Sequence, residues 1–168
     1  MPPDRRLLRD IQSAYDGMER AQLDQGEWVQ WFRYLPNQST SDPTYGTGPQ
    51  RAWANPVSVP VWIGEYERAG RNQDGDGLYQ VDHFHGILSY RFFFSSNIPD
   101  PDPNFQNHVN DRVGFDGKLF YLTSFLPRGR VASYFLTISF DATQLALEEF
   151  TEDADLNPTL FDQYILAP

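Results

Sequence analysis

The first candidate for metal chemistry is a run of alternating oxygen-bearing residues. Asn72, Asp74 and Asp76 precede Gly77, as in the first half of a calcium loop, where ligands at positions one, three and five precede a turn glycine. The twelfth position is His83 rather than a bidentate glutamate, and the flanks have strand rather than helix periodicity. The segment therefore predicts a solvated hairpin turn. Calcium binding by Asp74 and Asp76 is the less favoured alternative.

Two histidines offer another metal hypothesis. His83 and His85 are two residues apart, so their side chains share one face of a strand. They could bind zinc with Asp82 or His108 as a third ligand, but Asp82 points the other way on a regular strand and His108 lies beyond a proline-rich segment. The spacing favours partly buried or interface histidines, and we expect no metal and no cofactor.

The sequence contains no familiar catalytic arrangement. It has no Gly-x-Ser-x-Gly elbow and no glycine loop followed by Lys-Ser/Thr. The absence of cysteine excludes thiolate catalysis and disulfides. The neighbouring acids Glu148 and Glu149 would not face one site from a helix. We therefore expect a protein that is not an enzyme.

The charge balance argues against sequence-specific DNA binding. The chain has 23 acidic and 13 basic residues and a net charge of -10, whereas duplex affinity comes mainly from neutralising phosphates. The basic cluster Arg128-Gly129-Arg130 is predicted at a hairpin tip, where Arg128 and Arg130 could contact an acidic neighbour or nearby DNA. With no long apolar run and no signal sequence, we expect a soluble intracellular product that does not bind membranes.

The first of three expected segments, residues 1–26, is an N-terminal helix. Apolar residues recur at three- and four-residue spacing over 4–24; they are Leu7, Leu8, Ile11, Ala14, Tyr15, Met18 and Leu23. Gly26 provides a stop signal. The apolar stripe must be buried, either on the sheet of the same chain or on a neighbouring subunit.

Residues 27–142 form the expected β domain, because apolar residues now alternate with a period of two. Strands are predicted over 28–35, 57–68, 78–94, 111–115, 118–126 and 131–140, with long loops at 36–56 and 95–110 and a stiff proline spacer at 99–103. Asp116-Gly117 gives the strongest hairpin signal. The aromatic end of the 78–94 strand, with Tyr90, Phe92 and Phe94, is a candidate interface for edge pairing or ring contacts.

The third expected segment, residues 143–168, is a C-terminal extension. It begins with a short predicted helix over 144–150 and ends in apolar residues that should dock onto a surface. The predicted fold is mainly β, a small β-barrel or sandwich with an N-terminal α-helix, long loops and this extension. Aromatic residues make up 15% of the chain, more than one small sheet would hide, so we expect further burial against other copies and stacked neighbours.

Residues 111–140 resemble the C-terminal half of tailed-bacteriophage head-closure proteins. The resemblance rests on the strand Asp111–Phe115, the turn at Asp116-Gly117, a second strand over 118–125 with an aromatic residue, a Gly-Arg hairpin and a last strand over 134–138. The long N-terminal helix and the acidic tail, which ends in apolar residues, depart from the usual pattern of that family.

The resemblance implies a virion structural protein, a stopper of the head-to-tail connector. Copies would form a homo-oligomeric ring between the portal–adaptor complex and the tail terminator, with a hexamer favoured and a dodecamer as the alternative. That ring would close or gate the DNA channel, in transient, non-specific proximity to the genome, after assembly in the host cytoplasm. The alternatives are a tail terminator or other tail component and, from a different class, a calcium- or carbohydrate-binding β module.

Overall fold

The computed structural model describes residues 5–36, 38–39, 51–74, 77–96, 98, 108–131, 134–161 and 163–164. In chain order these residues form α1 (Arg5–Gln25), β1 (Glu27–Phe32), β2 (Val57–Asp74), β3 (Gly77–Ser89), α2 (Tyr90–Ser95), a 3₁₀ turn (His108–Asn110), β4 (Arg112–Phe115), β5 (Lys118–Val131), β6 (Tyr134–Gln144), α3 (Leu147–Leu156) and α4 (Pro158–Phe161). Most of the predicted loops at 36–56 and 95–110, including the 99–103 spacer, lies outside the described residues. None of the described helices is long and apolar enough to cross a membrane.

The described strands close into an antiparallel barrel in the order β1-β2-β3-β6-β5-β4. Closure occurs where Trp31 of β1 pairs with Val113 of β4. The mainly β class, with a barrel, an N-terminal helix and a C-terminal extension, is therefore confirmed. Closure pairs the two edge strands β1 and β4 with each other over the positions Gln30–Phe32 and Arg112–Gly114.

The barrel interior is filled by aromatic rings around Trp31, which is fully buried. Its ring meets Phe93 and Phe140 edge to face, at centroid distances of 5.2 and 5.3 Å, the geometry that aromatic quadrupoles favour. Gly86 lies under the Phe140 ring, where a Cβ atom would collide with that ring. β3 is continuous through Gly86, so this glycine provides space for the core and does not break the strand.

The prediction that the 78–94 strand continues through its aromatic end is wrong, because Tyr90–Ser95 is a helix. Ser89 is its N-cap, and the Ser89 hydroxyl accepts a hydrogen bond from the Phe92 backbone N–H at 3.3 Å. A serine at that position satisfies one of the helix's otherwise unpaired donors. The cap turns the chain inward and buries Phe93 completely, which outweighs the strand preference of aromatic residues.

The hairpin between β5 and β6 is longer than predicted. Residues 127–130, predicted as a turn, belong to β5, since Arg128 pairs with Thr137 and Arg130 pairs with Phe135. The link at 132–133 lies outside the described residues. By contrast, the turn between β4 and β5 is at Asp116 and Gly117, with φ of 50° and 73°, the two positive values that a type I′ hairpin turn requires. The predicted 144–150 helix also shifts, to Leu147–Leu156, because β6 continues to Gln144.

Helix α1 packs on the barrel of its own chain. Gln22 is fully buried; its Oε1 accepts the Ser89 backbone N–H at 2.8 Å and its Nε2 donates to the Pro60 carbonyl. Arg91 of α2 holds Glu19 through two hydrogen bonds of 2.7 Å. The sequence left open whether the apolar stripe of the helix packs on its own sheet or on a neighbouring subunit. These contacts show that the helix packs, in part, on the barrel of its own chain.

The C-terminal extension also packs within the chain, on the outer face of the barrel. Phe161 and Tyr164 are buried, and both contact the ring of Phe32 on β1. The Tyr164 ring covers the backbone of Gly114 on β4, where a Cβ atom would overlap it. The apolar residues Phe161 and Tyr164 of the tail and Ile11 and Tyr15 of the helix stripe are therefore buried within the chain. Leu7, Leu8, Ala14 and Leu23 of the same stripe remain exposed.

Gly114→Ala is expected to lower the free energy of unfolding by about 1–3 kcal/mol, because the added methyl displaces the Tyr164 ring. Chemical denaturation measures the loss. In a Tyr164→Ala background the same change should be neutral or slightly stabilising, since glycine in a strand costs about 0.5–1 kcal/mol relative to alanine. Equal losses in both backgrounds would show that the Tyr164 contact is not the cause.

Candidate functional site

The calcium-loop candidates cannot be assembled into a site from the described side chains. β2 ends at Asp74, which pairs with Gly77 at the start of β3. Asp76 and the side chain of Asp74 lie outside the part of the chain that the structure describes. The calcium hypothesis at these two residues therefore stays a sequence prediction.

His83 and His85 share the outer face of β3, as their spacing predicts, but each contacts a residue of β6. Nδ1 of His83 lies 2.8 Å from the Thr143 hydroxyl, and Nδ1 of His85 lies 2.7 Å from a carboxylate oxygen of Asp141. Asp82 points inward and accepts hydrogen bonds from Lys118 and Tyr66, each at 2.7 Å. In the described ranges, no group of three His, Cys, Asp or Glu residues could hold a metal ion.

Ser124, Asp141 and His85 form a hydrogen-bonded row on the outer face of the barrel. The hydrogen bond from Ser124, followed by that from His85, holds the pKa of Asp141 below its ordinary value. The aspartate thus lies between the serine and the histidine. Since a serine nucleophile needs a histidine as its direct proton acceptor, this order does not activate the Ser124 hydroxyl.

Asp111 is the centre of a buried polar network that sequence reasoning did not identify. Its carboxylate is fully buried and accepts hydrogen bonds from Trp31 Nε1 at 2.8 Å, Arg33 Nη1 at 2.9 Å and the Tyr34 backbone N–H at 2.8 Å. His108 Nδ1 lies 2.7 Å from the same group. The network joins β1 to the 3₁₀ turn and fixes this end of the barrel.

A second buried carboxylate, Asp153 of α3, attaches the C-terminal extension to β4. Arg112 Nε donates to it at 2.9 Å, and Arg51 Nη1 lies 3.5 Å away. Arg112 also stacks over the Trp53 ring at 5.1 Å. Burial raises the pKa of Asp153, although the two arginines act in the opposite direction.

The other sequence-predicted contact residues are only partly brought together. Arg128 and Arg130 are exposed on β5 rather than at a hairpin tip. Tyr90, Phe92 and Phe94 all pack against the barrel core. Tyr90 and Phe94, with ring centroids 4.8 Å apart, also line a surface groove, and Phe92 does not. The three aromatic residues therefore do not form one exposed strip.

A largely apolar groove with a volume of about 570 Å³ lies between α1, α2 and β6. Its apolar lining consists of Leu8, Ile11, Tyr15, Tyr90, Phe94 and Tyr134. Arg5, Arg6 and Arg9 are exposed at the same end of α1. We call this groove and its arginines the basic groove.

A second surface of opposite charge lies at the other end of α1, where the helix leads into β1. Trp28 is 54% exposed and Leu23 46% exposed, and Asp24 and Glu27 are exposed beside them. We call these four residues the acidic knob. The sequence predicted Leu7, Leu8 and Leu23 to be buried with the helix stripe; their charged neighbours were the signal that they are not.

Comparisons with known proteins place few limits on this chain. No family model matches it, and no curated protein matches it. Among solved structures, one similar chain belongs to the virion of a native gene transfer agent particle; it is 11% identical, with a TM-score of 0.43, over 71% of this chain and 94% of that chain. Because that score is low, the assignment of fold rests on the strand pairing alone.

Proposed function

We propose that this chain is a structural subunit of a tailed-phage-like virion, a stopper whose copies form a ring at the head-to-tail joint and close the DNA channel. The observation that carries the proposal is the distribution of exposed large apolar side chains. Among the described residues, five of the seven lie at the two ends of α1: Leu7, Leu8, Leu23, Trp28 and Tyr134, the last across the groove from Leu8. Such surfaces are typical of protein–protein contacts.

The use of the buried polar residues supports a scaffold role. Asp111, Asp153 and Gln22 are fully buried, and each joins two or more elements of the fold. An active site needs a titratable group that is held in place yet open to a substrate. These groups are enclosed by their partners, so they stabilise the platform on which the exposed surfaces are presented.

The hairpins support the stopper rather than a generic scaffold. The residues that resemble head-closure proteins form β4 and β5, joined by the turn at Asp116-Gly117, and β6 follows as the last strand. The Gly-Arg part of the resemblance, Gly129-Arg130, lies within β5 and not in a turn. The net charge of -10 suits a ring around DNA, because an acidic lining would not retain the phosphate backbone.

The composition of the basic residues fits contacts with proteins. All but one of the 13 are arginine; the exception is Lys118. Arginine is enriched and lysine depleted in protein interfaces, because the planar guanidinium is weakly hydrated and can make two parallel hydrogen bonds. This supports partners that are proteins, namely other copies and the neighbouring connector components.

Electron microscopy tests the proposal at two levels. Negative-stain images of the purified chain, alone and with its connector neighbours, are expected to show rings, six-fold rather than twelve-fold. Antibodies against the chain should label particles from the source organism at the junction of head and tail. Label at the distal end of tails or along them would replace the stopper by a tail component, and absence of the chain from particles would contradict a virion role.

A further inference from the structure

The two surfaces of α1 are complementary in charge and shape. The helix has 21 residues and is therefore about 31 Å long, so the basic groove and the acidic knob lie towards opposite ends of α1. One surface is concave, apolar and flanked by arginines. The other projects a half-exposed tryptophan flanked by acids. Neither surface can reach the other within one chain.

Both ends of α1 carry the sign of charge that disfavours the isolated helix. A helix N-terminus favours acids and a C-terminus favours bases, yet Arg5, Arg6 and Arg9 lie at the N-terminal end and Asp24 lies in the last turn. Arg5 and Arg9 are also four residues apart, a spacing at which like charges repel. A partner of opposite charge at either end would relieve this unfavourable placement.

We propose that the acidic knob of one copy docks in the basic groove of the next, so that Trp28 enters the groove and Asp24 and Glu27 meet Arg5 and Arg9. The proposal rests on the ring-forming function proposed above and names the contact that builds the ring. A joint between two different surfaces is heterologous, and such joints produce closed rings when the rotation between copies is suitable. In this orientation the N-terminus of one α1 also approaches the C-terminus of the next, which is favourable for both helix dipoles.

The composition of both surfaces favours a second copy over nucleic acid as the occupant. Tryptophan and arginine are the residues most enriched at the energetic centre of protein interfaces, and an aromatic side chain can bury about 150–250 Å². The groove lining contributes tyrosines and Phe94 rather than a row of cations. The overall charge of -10 opposes binding of a polyanion.

A mixing experiment tests this contact. Trp28→Ala removes the knob and leaves the groove, whereas the double variant Arg5→Glu, Arg9→Glu removes the groove and leaves the knob. Each variant alone is expected to self-associate at least about tenfold more weakly than the wild type, measured by analytical ultracentrifugation. Mixed in equal amounts, the two should form a heterodimer that does not grow, because only one competent joint remains per pair.

The controls are matched by exposure and charge. Leu126→Ala truncates an apolar residue that is 46% exposed on β5, and Arg68→Glu reverses an arginine that is 74% exposed on β2; both should associate like the wild type. Melting curves verify that each variant is folded, which is expected because the substituted side chains are exposed.

Several outcomes would overturn the contact. These are a wild type that stays monomeric at every concentration, variants that associate normally, and a mixture that does not dimerise. Duplex DNA binding that is lost in the arginine variant while association persists would assign the arginines to phosphate instead. If rings form equally well with these substitutions, the proposed contact is wrong and the stopper proposal stands. If the two variants form the expected heterodimer but the chain is absent from the head-to-tail junction of particles, the contact stands and the stopper proposal is wrong.

Discussion

Asp111→Ala is expected to lower the free energy of unfolding by about 3–5 kcal/mol, because it removes one partner of the buried Arg33–Asp111 charge pair. Trp31 and the Tyr34 backbone lose their acceptor in the same step. For a chain of this size, a loss of that magnitude corresponds to a fall in melting temperature of about 6–20 °C. Thermal and chemical denaturation measure the two quantities.

The matched control for Asp111 is Asp155→Ala, which removes an exposed aspartate on α3. A surface substitution of this kind should change stability by no more than about 0.5 kcal/mol. If the two alanine variants were equally stable, the network around Asp111 would not hold this end of the barrel together. Loss of the network should also expose Trp31 to solvent, which a red shift in its fluorescence would report.

Arg112→Met is expected to destabilise the protein by about 3–5 kcal/mol at neutral pH, since it leaves the Asp153 carboxylate buried with its main partner removed. The loss should shrink as the pH falls. Burial already raises the pKa of Asp153, and without Arg112 the pKa rises further, so the folded variant takes up a proton more readily than the unfolded chain. Protonation then removes the uncompensated charge.

The sign of this pH effect separates the buried pair from surface pairs. The difference in unfolding free energy between wild type and Arg112→Met should be largest above the folded pKa of Asp153 in the variant and should decrease as the pH falls through it. Arg68→Met, which breaks an exposed pair with Asp116, should cost less than about 1 kcal/mol at every pH. A loss in the Arg112 variant that does not vary with pH would mean that lost packing on Trp53, not charge, causes it.

The mainly β fold class was predictable because the strands have a regular alternation of apolar and polar residues. Alternation with a period of two, the helical stripe of α1 and the Asp116-Gly117 turn are local signals, and each is read within a few residues. The prediction of a strand after Ser89 was wrong because the Ser89 hydroxyl caps a helix over Tyr90–Ser95. The prediction of a turn at 127–130 was wrong because Gly129, with φ of 64°, is accommodated within β5.

The buried networks were not predictable, since their members are far apart in sequence. Asp111 and Trp31 are joined only when β4 closes on β1, and Arg112 reaches Asp153 only once the tail folds back. The acidic knob and the basic groove carried a weak signal, namely charges placed against the helix dipole. That signal becomes informative only when the structure shows that Leu7, Leu8 and Leu23 are exposed.

Barrel closure has a consequence for the behaviour of the chain at high concentration. The backbone amides of β1 and β4 bond to one another, so these strands offer no template for a further strand from another molecule, the usual route to fibrils. Where these two strands pair, one molecule cannot add a backbone strand to another. At this seam any contact with another molecule is left to side chains, which single substitutions can change while the hydrogen-bonded frame stays the same.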